Sequence, residues 1–255
     1  MANSSSPEPA ASARQRGVSA AAGAAIPVRV RVWDLPLRLF HWLLVVCVIG
    51  AFVTIKTGRT EQHLLFGYAA LTLIVFRVLW GFVGPRYARF ASFVYSPAAL
   101  LAYLRGAPDA PRPLGHSPLG ALSVFALLAI IGAQAVLGLF TSDDLLFEGP
   151  LARFVSGTFV ERASGLHHLN ERLIMALVAL HLLAIVCYKL FRRTPLTRAM
   201  IDGDKRLVPD PAAAPQAREP AALAARDDAA IRLRALVVIA VAIAIVAAVV
   251  NWPAS

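Results

Sequence analysis

Hydrophobic positions in this chain fall into five long, nearly unbroken blocks separated by short polar or basic segments. The blocks run over Leu37–Ile55, Leu64–Val83, Leu119–Phe140, Leu169–Leu190 and Leu233–Val250. Each holds about the 18 or more apolar residues that a helix needs to cross a bilayer. Arg77 lies inside the second block and His181 inside the fourth. The pattern predicts an all-α membrane protein: a four-helix transmembrane bundle, then a fifth C-terminal transmembrane helix after a gap. Pro36 fits the first turn of span one, where a missing N–H does no harm. Gly81, Gly84 and Pro85 punctuate the end of span two.

The connections divide the chain further. Residues 1–28, rich in Ala, Ser and Pro, read as a disordered cytoplasmic tail without a signal peptide. The core spans residues 29–193. Within it, Pro97–Arg105 predicts a short surface helix, and residues 141–166 an external connection with a short helix near Leu151–Phe154. Residues 194–230 read as a flexible linker, and residues 231–255 as an anchor helix whose span holds no ionisable group beyond Arg234 at its start.

Composition supports this class. Of the 255 residues, 58% are hydrophobic and only 16% charged, against about 25% charged in soluble domains. The net charge of +10 is a topology signal rather than a nucleic-acid footprint, because of where it lies. Arg29, Arg31 and Arg38 precede span one. Arg86, Arg89, Arg105 and Arg112 follow span two. Lys189, Arg192, Arg193, Arg198, Lys205 and Arg206 follow span four, and Arg232 and Arg234 precede span five. Acid concentrates between spans three and four, at Asp143, Asp144, Glu148 and Glu161. Positive loops stay inside. The N-terminus is therefore expected in the cytoplasm and the C-terminus outside, in a bacterial inner membrane, with the basic face against anionic lipid. Cys47 and Cys187 lie inside apolar helices and read as small buried hydrophobes rather than a disulfide.

Ionisable groups inside a membrane are functional candidates, and histidine is the one this chain repeats. His41 begins span one on the cytoplasmic side. His63 begins span two on the outer side. His167 begins span four on the outer side, and His181 lies deeper, toward the cytoplasm. Depth therefore pairs His41 with His181 and His63 with His167. His167 and His181 are fourteen residues apart, which puts them roughly 40° apart in azimuth and about 21 Å apart along the axis. One helix can then serve two stacked cofactors. The neighbouring His168 points roughly 140° away from His181. Four imidazoles at two levels suit two bis-histidine haems. The sequence lacks a C-x-x-C-H motif, so the expectation is two non-covalent haem b groups. Arg77 lies fourteen residues after His63 on the same face. It either meets the propionates of the inner haem or snorkels to the interface. His116, between Gly115 and Pro118, reads as interfacial.

Several separated motifs resemble the prokaryotic cytochrome b561 family and the related b-type cytochrome subunits of nickel–iron hydrogenases. They are Val32-Trp-Asp-Leu-Pro-Leu-Arg-Leu-Phe-His-Trp42, His63-Leu-Leu-Phe-Gly-Tyr68, Phe76-Arg-Val-Leu-Trp-Gly-Phe-Val-Gly-Pro85, Gly115-His-Ser-Pro-Leu-Gly-Ala121, Leu166-His167 and Leu180-His181. The resemblance implies a four-helix bundle whose spans one, two and four supply the haem ligands. These map onto His41, His63, His167 and His181. It departs from the family pattern at His168, and the segment after Arg193 lies outside the common core. The function expected is a diheme cytochrome carrying electrons between the quinone pool and a redox partner such as a c-type cytochrome. The alternative is the haem-bearing membrane anchor of a larger oxidoreductase such as a nickel–iron hydrogenase.

Overall fold

The computed structural model describes residues 28–108, 110–111, 113–142, 147–191, 196–207 and 223–253. The expectations for the N-terminal tail, for Arg112, Asp143, Asp144, Arg192 and Arg193, and for the middle of the linker lie outside the described residues. The rest is mostly helical. In chain order come β1 (Val28–Arg31), α1 (Leu35–Lys56), α2 (Thr60–Val83), α3 (Pro97–Leu104), α4 (Pro118–Gly138), α5 (Gly157–Phe191), α6 (Leu196–Asp202), β2 (Asp204–Leu207) and α7 (Ala229–Val250). Helices α1, α2, α4, α5 and α7 are each long and apolar enough to cross a membrane.

Local chemistry sets the helix starts. Asp34, Ser96, Ser117 and Asp228 each accept a hydrogen bond from a backbone N–H in the first turn of α1, α3, α4 and α7, as capping residues do. Pro36, Pro97 and Pro118 follow their caps directly or within two residues, where proline costs nothing. Gly58, at φ +69°, lets the chain turn from α1 into α2, a conformation that favours glycine.

Two segments differ from the sequence expectation. Helix α5 begins at Gly157, twelve residues before the apolar block, so much of the external connection is helical. Hydropathy marks only the lipid-facing part of a helix, while backbone hydrogen bonding carries it on through Glu161 and Arg162. The described part of the expected linker is also ordered. It forms α6 and β2, and β2 pairs antiparallel with β1 from Val28↔Leu207 to Arg31↔Asp204. The turn between them needs Gly203, at φ +87°. Its carbonyl accepts from Val32 N and Trp33 N at 2.9 and 3.0 Å, and a Cβ there would stand 2.7 Å from Trp33 O.

Helix α2 is the most buried span. It packs against α1, α4 and α7, and α5 packs on α4. Among the described residues α5 does not pack closely along α1 or α2, and side chains bridge that separation. A core of Val32, Trp33, Leu37, Phe40, Phe76, Trp80, Tyr87 and Ala88 fills the sheet end of the bundle. Helix α7 presents Ile231, Ala235, Ala242 and Val246 inward, all buried. The two small residues allow the close helix approach that packing within lipid relies on.

Candidate haem-binding sites

Away from the sheet, His63 and His167 meet across the separation between α2 and α5. Their ring centres are 6.4 Å apart and their planes nearly perpendicular, at 85°. Each has its Nδ1 against a backbone carbonyl: His63 with Ala51 O at 2.8 Å and His167 with Gln134 O at 3.1 Å. A carbonyl only accepts, so each Nδ1 carries the proton and each Nε2 keeps a lone pair. That arrangement fixes a metal-ligating imidazole in tautomer and orientation. Asn170 braces this level by donating to Ile130 O and Gln134 Oε1, both at 2.9 Å. Gly138 leaves space for the ring, since a Cβ there would stand 3.2 Å from His167 Cε1. Lys56 on α1 and Glu171 on α5 close the same end with a 2.8 Å ion pair.

His168 is exposed, whereas His167 is half-buried and turned toward His63. The two adjacent rings lie at 80° to each other.

Toward the sheet, His41 on α1 and His181 on α5 come within electrostatic reach of one another. Ser123 Oγ lies 3.2 Å from His181 Nδ1. His41 Nδ1 is buried without a partner. Arg77 is at this level too and is only 1% exposed. Its guanidinium lies 4.6 Å from the Phe90 ring centre, while both terminal nitrogens lack a hydrogen-bond partner. The guanidinium is thus covered by protein rather than open to solvent.

Residues that sequence spacing did not reveal complete the sheet end. Asp34 is fully buried. Its Oδ1 accepts from Leu37 N at 2.9 Å and from Trp80 Nε1 at 3.1 Å. Burial raises its pKa against those two bonds. The His116 ring sits between Trp33 and Phe93, at 4.5 and 4.3 Å between centres. Burial, with Arg77 and Lys205 nearby, lowers its pKa to about 3 and keeps it neutral. Lys205 donates to Leu114 O and Gly115 O at 2.6 and 2.9 Å, and burial lowers its pKa to about 8. An N-cap aspartate ahead of Leu35-Pro36 is a readable helix-start signal. Lys205 carried no comparable signal.

Among the described residues no three His, Cys, Asp or Glu side chains gather into one metal site. The histidines come instead as two pairs at two levels of a multi-pass membrane bundle. The sequence profile of the prokaryotic cytochrome b561 family matches residues 32–203. The chain belongs to the prokaryotic cytochrome b561 family. It is therefore a membrane haem protein of b type that takes part in electron transport. Two relatives are described as probable Ni/Fe-hydrogenase B-type cytochrome subunits. That of Azotobacter chroococcum mcd 1 is 25% identical over 212 residues, covering 68% of this chain and 87% of the relative. That of Azotobacter vinelandii is 26% identical over 215 residues, with the same coverage. No solved structure matches this chain.

Proposed function

We propose that this protein is a diheme b-type transmembrane cytochrome carrying electrons between the quinone pool and a redox partner in the bacterial inner membrane. His63 and His167 would hold an outer haem. His41 and His181 are the ligands of an inner haem, at the sheet end, which faces the cytoplasm. Arg77 receives propionates of the inner haem. The observation that carries the reading is the opposed pair His63 and His167, each with Nδ1 held by a carbonyl and Nε2 left as donor.

The residues fit the group. Neutral imidazole nitrogen is a good haem ligand, and two histidines per iron leave no open position for oxygen or substrate. The unpartnered nitrogens of Arg77 offer the planar fork that matches a carboxylate. When bound, each haem supplies reversible one-electron chemistry at a potential set by its axial ligands and surroundings. The protein's own part is to fix imidazole orientation through Ala51, Gln134 and Ser123, and to keep water from both levels with its apolar spans. Residues 29–193 form the haem-binding unit on this reading, and their histidines would hold two haems at different depths, which would supply one-electron transfer between the two faces of the membrane.

A second reading is favoured by the description of both Azotobacter relatives: a haem-bearing membrane subunit of a larger oxidoreductase, with a hydrogenase as partner. Purification without partners followed by quinol reduction separates the two. A lone chain that quinol reduces is a carrier, and a chain reduced only with its partner bound is a subunit.

Redox titration of single variants tests the ligand sets. His41→Ala and His181→Ala should each remove or convert the inner haem, and His63→Ala and His167→Ala the outer one. Loss of the same haem in His41→Ala and His63→Ala would contradict the pairing.

A further inference from the structure

Among the described residues, every buried side-chain nitrogen or oxygen without a partner lies at the sheet end: Asp34 Oδ2, Arg38 Nε, His41 Nδ1, Arg77 Nη1 and Nη2, and His116 Nδ1. Unpaired buried polar atoms are rare in native proteins and call for an explanation. A cation buried like Arg77 is costly unless paired. Asp34 lies within electrostatic reach of it but makes no hydrogen bond to it: its Oδ1 accepts from Leu37 and Trp80, and its Oδ2 has no partner. His116 is neutral. Lys205 adds a second cation, held over the Trp33 ring at 5.5 Å. Arg77 and Lys205 together outweigh Asp34 by one charge, both act electrostatically on His116, and the Arg77 guanidinium fork and His116 Nδ1 stand there without a partner.

A cap closes this end, and much of it lies beyond residue 203, where the family match stops. Strand β2 carries Lys205 onto the Leu114–Gly115 carbonyls. Ala225 N donates to Arg31 O at 2.7 Å, and Tyr87 Oη donates to Leu223 O at 2.8 Å. Asp227, with its side chain 6% exposed, pairs with Arg31 at 2.6 Å and Arg232 at 3.5 Å.

We propose that Arg77 and His116 form a buried carboxylate-binding site, closed by this cap and made more positive by Lys205, and that a propionate of the inner haem occupies it. The proposal rests on the two-haem reading above. It adds His116 as a second donor, and it adds Lys205 as a positioning residue that fixes the His116 loop and tunes the inner haem.

The test combines redox titration with redox-difference infrared spectra of protein whose haem propionates carry 13C in their carboxyl groups. Lys205→Met should shift the inner haem's reduced-to-oxidised ratio about tenfold toward oxidised at fixed potential, which is about 59 mV for one electron. The outer haem should not move, and Lys205→Arg should stay near the parent value. His116→Phe should move a 13C-sensitive carboxylate band, while His116→Gln, which keeps a donor, should move it less. An unchanged outer-haem spectrum shows that each variant is folded. A carboxylate band that responds to His116→Phe without 13C sensitivity would mean a free carboxylate fills the site, and overturns the propionate assignment. Unchanged bands and potentials in Lys205→Met and His116→Phe overturn the site itself. An inner haem missing from the parent protein, visible before any variant is made, overturns the two-haem reading and this proposal with it.

Discussion

Two adjacent residues, His167 and His168, carry the same side chain into different surroundings. Helical azimuth separates them in the sequence, and the structure turns His167 toward His63 while His168 faces outward. His168→Ala should therefore leave both haems bound, and His167→Ala should cost the outer one. Gly138→Val offers an independent check. A side chain there must press on the His167 ring, so haem retention should fall at the outer level alone. His116 makes a pH prediction. Its pKa falls from 6.5 in the unfolded chain to about 3 in the fold. The unfolded state therefore binds more protons between these values, and stability is lost as pH falls from about 6.5 toward 3. The slope approaches about 1.4 kcal/mol per pH unit. Thermal midpoints of the haem-free protein at pH 7 and pH 5 should show His116→Phe losing less on acidification than the parent chain; equal losses would count against a buried neutral His116. Depth, with the fourteen-residue spacings on spans two and four, marked His41, His63, His167, His181 and Arg77 as candidates. It could not reveal Gln134, Ser123 or Asn170, because those partners depend on how α4 is rotated against α5.

At the scale of elements, the five spans were legible from hydropathy, and the N-cap and proline signals placed their starts. The small sheet was not. Strand β1 is four residues long, too short for alternation to register, and its partner β2 lies beyond four membrane spans. Helix α7 also proved more than an isolated anchor. It carries no histidine, yet it packs on α2 with Ala235 and Ala242 buried, and Asp227 fastens its start to Arg31. Arg153 also donates to Trp252 O just past its far end. Ala242, at 0% exposed, has no room for a larger side chain. Ala242→Leu should cost about 1–3 kcal/mol, read as a lower thermal midpoint of the haem spectrum. Truncation after Ala199 removes β2, Lys205 and α7 together. It should weaken the inner haem and spare the outer one. If both haems persist unchanged, the cap and α7 are dispensable and the core ends where hydropathy alone would end it.

For the whole molecule, pairing of β1 with β2 puts the segments before span one and after span four at one end, as an even number of crossings requires. On the orientation proposed above, the basic residues around both segments put that end in the cytoplasm. Reporter fusions after Arg206 should read as cytoplasmic and fusions after Trp252 as periplasmic. The central claim is that the protein holds two haems at two levels, and the pyridine haemochrome of the purified chain, quantified against protein and followed through a redox titration, tests it most directly. The account predicts two b-type haems per chain, both low-spin, titrating as two components. One haem per chain, or none, would contradict it.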